Sequence, residues 1–386
     1  MKLFHTADWH IGKLVHKLYM TEDQTFLLKA LKEAILAEKP DVLVIAGDIY
    51  DRSIPPASAV ELLNTFFTQI ITETQTKIIA ISGNHDSPDR LNFGSGILEK
   101  QGLHISTHIK HIFKPVEIED DHGTVRFYTI PFLEPELVRD YFEDASIRTF
   151  DDAFDRLIKE IELDKTYRNV CIAHGYVTAG DLLEESDSEK PLSIGGSSYV
   201  SSRYFEAFDY VALGHLHGPQ RVGKDHIRYA GSLMKYSFSE VRQRKAIQVI
   251  DLGVKGDIRI SEKALVPDKD FRMIKGELDQ LIQNDVSQLG NNNDYIKAVL
   301  TDQGEILNAF SKLKAVYPNI LSVEFERNKE LEDSDYQLDS KAVATKSTES
   351  LFTEFFEWVE LNTLTPKESS VFSETCNVIL KKEREA

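Results

Sequence analysis

The sequence predicts a layered α/β fold with a small α/β attachment and a helical pair at its C-terminal end. Through about residue 265, short apolar runs alternate with amphipathic helical stretches, the pattern of sheets with helices packed on their faces. Around Val266–Asp270 that rhythm gives way to a compact strand–helix–strand–helix–strand unit. Beyond a polar stretch, the last forty residues return as two helices with apolar faces.

The first domain, 1–265, is expected to hold strands at Lys2–Thr6, Asp41–Ala46, Lys77–Ser82, Val125–Ile130, Asn169–Ala173, Tyr210–Leu213, Ile227–Ala230 and Ala246–Asp251. Helical periodicity places Phe26, Leu27, Ala30, Leu31, Ala34 and Ile35 on one face of Gln24–Ala37. It does the same for Val60, Leu63, Phe67 and Ile70 in Ser58–Ile71. Asp181–Ser202, rich in Glu, Asp, Ser and Gly, reads as a long surface loop.

The second domain, 266–326, reads as strand Phe271–Lys275, helix Glu277–Asp285, strand Tyr295–Leu300, helix Ile306–Val316 and strand Ile320–Phe325, punctuated by the Gly290–Asn293 turn and Pro318. Residues 327–346 have the composition of a linker. In the module 347–386, Leu351, Phe352, Phe355, Phe356 and Val359 stripe the helix Ser350–Leu361. A second helix starts at Thr365, an N-cap followed by Pro366 at the first helical position and Glu368 completing a capping box. Val371, Phe372, Cys376, Ile379 and Leu380 form its apolar face. Two short helices do not bury that much aromatic surface on each other. They either pack back on the parent domain or dock on another protein.

At 386 residues the chain implies two or three domains, because single cores seldom grow past roughly 250–300 residues. Its two cysteines, Cys171 and Cys376, give no disulfide framework, which fits a reducing compartment. No apolar run approaches the ~20 residues that span a bilayer, and the N-terminus has no apolar signal region, so a cytoplasmic location is expected. A net charge of −18 argues against indiscriminate binding to nucleic acid, which usually leaves a basic footprint.

Five short motifs each follow an apolar strand: Asp8-Trp9-His10, Gly47-Asp48-Ile49-Tyr50-Asp51, Gly83-Asn84-His85-Asp86, His174-Gly175 and Gly214-His215-Leu216-His217. Strand C-termini in an α/β sheet converge on one edge, where ligand crevices form. Carboxylates and imidazoles with one amide suit Mn²⁺, Fe²⁺ or Zn²⁺, and the absence of thiolates argues against a structural zinc site. Two metals roughly 3.5–4 Å apart need a bridging ligand. Asp48 is assigned that place, with Asp8, His10 and His217 completing one site and Asn84, His174 and His215 the other. Such a pair activates water for in-line attack on phosphorus. His85 is the candidate for protonating the leaving oxygen, and Asp86 or Asp51 for orienting a neighbouring imidazole. Each motif alone is weak, since a lone histidine is more often a surface or core residue; five in this order form a constellation. The other histidines carry no such signal, and His5 and Trp9 are expected in the core. Tyr128, Tyr229 and Tyr236 serve either base stacking or sheet packing. Arg242, Arg244 and Lys245 make either a phosphate contact or a solvated turn.

The motif order resembles the calcineurin-like metallophosphoesterases, whose fold is a four-layer β-sandwich flanked by helices. The resemblance implies metal and catalytic roles for Asp8, His10, Asp48, Asn84, His85, His174, His215 and His217. HTADWHIG, GDIYDRSIPP, SGNHDSPDRL, ALGHLHGPQ and YAGSLMKYSFSE are further similar to the SbcD-type DNA-end-processing nucleases. That resemblance implies a Mn²⁺-dependent 3′-to-5′ exonuclease on duplex ends, also cutting single strands and hairpins. It implies gating by ATP in an SMC-like ATPase partner, SbcC, bound through the C-terminal helices. It also implies a capping domain that binds DNA, and a homodimer formed through helices such as Ser58–Ile71. Some relatives carry a second histidine where Asp51 stands. The alternatives are a small-molecule phosphodiesterase or phosphatase on the same scaffold, and a non-catalytic DNA-end tether.

Overall fold

The structure, a computed structural model, describes residues 1–189, 192, 198–283, 290–302, 306–326, 350–353, 356, 365, 367 and 369–375. Strands Val42–Ala46 and Arg168–His174 are buried at every position, which a strand sustains when both its faces are covered. Each lies inside a six-stranded sheet. The first sheet runs Ile258–Ala264, Ala246–Leu252, Lys2–Thr6, Val42–Ala46, Lys77–Ile81, Leu103–Ser106, and its last four strands are parallel. The second runs Gln220–Val222, Lys224–Tyr229, Tyr210–Gly214, Arg168–His174, Gly123–Ile130, Val116–Asp120, with its four central strands parallel.

Leu3, Val44, Ala46, Ile79 and Ile81 of the first sheet pack against Val125, Phe127, Val170, Ile172 and Ala212 of the second, forming the middle of a sandwich. Helices Thr21–Glu38 and Ala57–Glu73 cover the outer face of the first sheet through Leu27, Leu31, Ile35, Leu63, Phe67 and Ile70. Pro135–Phe142 and Phe150–Glu160 cover the second through Val138, Phe154 and Leu157. The result is four layers, helix–sheet–sheet–helix.

The eight strands expected in the first domain are present, with ends shifted by up to three residues. Leu103–Ser106, Val116–Asp120, Gln220–Val222 and Ile258–Ala264 add to them, all four at sheet edges, where polar residues dilute the apolar run. The helix Phe150–Glu160 carries a legible start, a capping box in which Thr149 and Asp152 exchange side-chain-to-backbone bonds.

Residues Met1–Glu324 form one compact unit. Within it, but for the last residue of the third strand, Phe271–Gly276, Tyr295–Leu300 and Ile320–Phe325 make a three-stranded sheet packed with helices Leu278–Gln283 and Ala309–Val316 around Ile296, Leu300, Leu313 and Tyr317. Phe271 and Tyr295 instead join the core of the larger domain. The Tyr295 hydroxyl donates to Asp23 at 2.8 Å, and Lys235 pairs with Asp270 at 2.9 Å.

The second compact unit is Phe325–Ala386. Its described residues include a helical turn at 350–353 and helix at 369–375, and the ring of Phe352 stacks on Phe372 at 3.7 Å. The expected linker 327–346, Glu368 of the capping box, and Cys376, Ile379 and Leu380 lie outside the described residues. Among those described, no helix is long and apolar enough to cross a membrane.

Candidate metal centre

The parallel strands of both sheets end at one edge, and the five motifs are the loops that leave them. The first two loops are laced together by main-chain bonds: Asp8 N–H to Gly47 O at 3.1 Å, and His10 N–H to Asp48 O at 2.9 Å. Asp8, His10, Asp48 and His215 all adopt positive φ, at 53°, 45°, 48° and 116°. Gly47 also has a left-handed φ of 89°, and a Cβ there would lie 2.2 Å from His174 Nδ1. A glycine is required where this loop passes the ring.

Asp48 sits at the centre. Its Oδ2 lies 3.6 Å from His10 Nε2 and 3.6 Å from His174 Nε2, while its Oδ1 accepts the His85 N–H at 2.8 Å. His10 Nε2 faces His217 Nε2 at 3.0 Å, and His174 Nε2 faces Asn84 Oδ1 at 2.9 Å. His174 donates its Nδ1–H to the Ala46 carbonyl at 2.8 Å, so the neutral ring turns a lone pair, not a proton, toward the Asn84 oxygen. Acceptor against acceptor is unfavourable unless a cation lies nearby. His10 Nδ1 is buried without a hydrogen-bond partner. These features fit the residues to divalent cations.

Donor atoms of Asp8, His10 and His217 lie within 4.8 Å of one another, and so do those of Asp8, Asp48 and His174. His215 donates its backbone N–H to both Asp8 oxygens at 3.0 Å, and its ring lies 5.6 Å from that of His174. Asp8 therefore stands between the two groups as well as Asp48. A third group of His10, Asp51 and His85 adjoins them.

Burial holds His10 and His215 well below the usual imidazole range and lowers His174 and His217 too, so the rings are neutral donors. Burial, reinforced by the charge of Asp48, raises Asp8 well above the usual carboxylate range. A cation reverses that penalty.

His85 donates Nδ1–H to the Asp51 carbonyl at 2.7 Å, which turns Nε2 inward, 4.0 Å from Asp48 Oδ2. The Asp51 carboxylate itself takes Lys13 at 2.9 Å and lies 3.7 Å from His10 Nδ1. Asp86 accepts the backbone N–H groups of Gly83, Ile49 and Tyr50 at 2.9, 3.0 and 2.9 Å, tying two metal loops together. Burial first, then Asp48, pushes its carboxyl up to about 7.

The supporting role of Gln24 passes unnoticed in the sequence. Gln24 donates to the carbonyls of Trp9 and His10 at 3.2 and 2.8 Å and to the Tyr236 hydroxyl at 3.0 Å, and that hydroxyl donates to Trp9 O. Tyr236 is thus a buried clamp, and Tyr128 and Tyr229 are buried in the sheet layers, so none of the three is available to stack on bases. Lys245 is buried and paired with Glu240 at 2.6 Å, which removes it from the basic cluster; Arg242 and Arg244 are exposed. His5, fully buried, bonds Tyr210 and Leu213, and burial lowers it to about 3.

Comparison with known proteins shows the family to which the chain belongs. Residues 1–219 match the family model for calcineurin-like phosphoesterases, and residues 267–360 match the model described as the type 5 capsule protein repressor C-terminal domain. The chain is 38% identical over 325 residues to the SbcD subunit of the SbcCD nuclease from Staphylococcus epidermidis, covering 84% of this chain and 85% of that protein. Among solved structures, a dimetal phosphatase from Danio rerio is similar at 11% identity and TM-score 0.41, over 69% of this chain and 96% of that one. The TT1561 protein of Thermus thermophilus is similar at 14% identity and TM-score 0.37, over 68% and 98%. The chain belongs to the calcineurin-like phosphoesterases, in the line of the SbcD nuclease subunits, and is a metal-dependent phosphodiester hydrolase.

Proposed function

We propose that the chain is the nuclease subunit of an SbcCD-type complex, a Mn²⁺-dependent enzyme that degrades duplex DNA ends 3′ to 5′ and cuts single strands and hairpins. The observation that carries the reading is the position of Asp48 Oδ2, equidistant from one nitrogen of each imidazole group. Asp8, His10 and His217 with Asp48 hold one cation, and Asn84, His174 and His215 with Asp48 hold the other. Two divalent cations, when bound, acidify a water and neutralise phosphoryl oxygens. His85, its Nδ1–H anchored on the Asp51 carbonyl, presents Nε2 to the leaving oxygen and, when that nitrogen is protonated as well, gives up the Nε2 proton and is left neutral with Nδ1–H in place. Asp86 keeps the Gly47–Asp51 and Gly83–Asp86 loops in register.

The partner is an SMC-like ATPase of the SbcC type, engaged through the C-terminal module, where Phe352 and Phe372 stack. Residues 266–326 cap the nuclease domain and grip DNA, and two such heterodimers pair through the nuclease domain. An acidic chain then borrows much of its DNA grip from cations and partner. The test is cleavage of a labelled hairpin-ended duplex with Mn²⁺ or Mg²⁺, with and without the partner and ATP. Mn²⁺-dependent cleavage stimulated by partner and ATP is expected. Hydrolysis of small phosphodiesters with no DNA cut under any condition would overturn the proposal.

A further inference from the structure

The run YAGSLMKYSFSE ends in a buried carboxylate, Glu240, that the chemistry above does not use. Its Oε2 takes Lys245 at 2.6 Å, and its Oε1 accepts the hydroxyl proton of Ser188. Ser188 Oγ lies 2.6 Å from His217 Nδ1, whereas Glu240 Oε1 is 3.6 Å from that nitrogen. Ser188 therefore stands between the carboxylate and the imidazole.

Proton bookkeeping gives this chain a direction. A carboxylate paired with a lysine only accepts, so the Ser188 O–H points at Glu240. The Ser188 oxygen is then an acceptor toward His217, and the shared proton sits on Nδ1. The second lone pair of Ser188 faces Ser186 Oγ at 3.0 Å, so the hydroxyl is fully used. With Nδ1 protonated, Nε2 of neutral His217 carries a lone pair, and Nε2 is the atom that faces His10. The backbone around the ring is held by the same elements: Glu189 Oε1 accepts the His217 N–H at 2.7 Å, and Lys245 donates to the His217 carbonyl at 2.7 Å.

We infer that Ser188 and Glu240 are positioning residues of the metal centre, a hydroxyl–carboxylate relay that fixes the tautomer and orientation of His217. The relay brings Ser186, Ser188 and Glu189, from a stretch read from sequence as surface loop, against His217. Partners of this kind typically govern metal affinity by 10- to 100-fold.

The inference rests on the metal reading of His217, and its test measures binding and not turnover. Mn²⁺ titration of the full-length apo chain by calorimetry is compared for wild type, Ser188→Ala, Ser188→Thr and Glu240→Gln. One Mn²⁺ equivalent should bind about 10- to 100-fold more weakly in Ser188→Ala and Glu240→Gln, and Ser188→Thr, which keeps the hydroxyl, should restore it. Ser188→Ala binding both equivalents as wild type does would overturn the relay, as would a threonine variant as weak as alanine. Should Glu240→Gln fail to fold, the serine pair decides alone. Wild type binding no Mn²⁺ would instead remove the metal reading beneath it.

Discussion

Gly83→Ala is a one-methyl perturbation aimed at Asp48, the proposed bridge. A Cβ at Gly83 would lie 2.2 Å from Asp48 Oδ1, 2.3 Å from its backbone nitrogen and 2.8 Å from Cγ. Ordinary contact begins near 3.4 Å, so Asp48 must retreat by about 1.2 Å. Neither loop yields freely. Asp48 O is held by His10 N–H at 2.9 Å, and Gly83 N–H is held by Asp86 at 2.9 Å. Because the Asp48 backbone nitrogen is struck as well as the carboxylate, the loop itself shifts, and the carboxylate loses its bond to the His85 N–H and its equal reach to His10 and His174. A misplacement of about 1 Å at a reacting centre costs about 100-fold in rate. Overpacking relieved by side chains costs about 1–3 kcal/mol and a backbone contact costs more, so the melting curve separates a shifted site from an unfolded chain. The assay is kcat/KM on a chromogenic phosphodiester, with metal content after dialysis and a melting curve alongside. Gly96→Ala, where a Cβ meets nothing within 4 Å, is the control and should match wild type. Gly83→Ala with full metal content and turnover within about twofold of wild type would refute the bridging geometry.

Three further outcomes follow from particular contacts. His85→Ala removes a ring but keeps the backbone N–H on Asp48, so hydrolysis should fall by about 10²–10⁴ with metal content intact, and parallel loss of metal would contradict this. Arg168 first, then the chain N-terminus among other contacts, holds the Asp120 carboxyl below its usual range. That stability is fully present above about pH 4 and is lost as pH falls toward the lowered value. Asp120→Asn should therefore reduce stability at neutral pH and weaken its decline in acid, read from urea midpoints across pH. Tyr295→Phe deletes the hydroxyl donated to buried Asp23 and should cost about 1–3 kcal/mol in urea unfolding, while an unchanged midpoint would mean the bond contributes nothing.

What could be read from the sequence is what its local patterns encode. Continuous apolar runs such as Val42–Ala46 announce buried strands, and the metal motifs are legible because each follows such a run within one to three residues. Edge strands such as Val116–Asp120, with only Ile118 buried, lack that signal. The supports of the site are invisible for another reason. Gln24 reaches His10 from a helix fourteen residues on, and Tyr236 reaches Trp9 across 227 positions. Gln24 belongs to an ordinary-looking helix, Tyr236 stands in a signature run that does not disclose its role, and only the tertiary fold brings them to the loops. Lys245 looked like one of three neighbouring cations, but residue type does not disclose that Glu240 would bury and neutralise it.

The proposed ligands themselves carry backbone strain. Asp8, His10, Asp48 and His215 are four of the nine non-glycine residues with positive φ among those described, and each such conformation costs about 1–3 kcal/mol. Strain of that size persists where the surroundings over-determine it. Here the Asp8–Gly47 and His10–Asp48 main-chain bonds, the Gln24 clamp and the Asp86 tether do so. None of these contacts needs a cation, so the loops are expected to hold without metal, unlike small metal domains that fold only on binding. Chelation should therefore leave the far-ultraviolet circular dichroism unchanged. It should lower stability only by the binding linkage, about 2.7 kcal/mol when free metal stands at a hundred times its Kd. Loss of secondary structure on chelation would show that metal, and not the hydrogen-bonded frame, holds the strained loops in place.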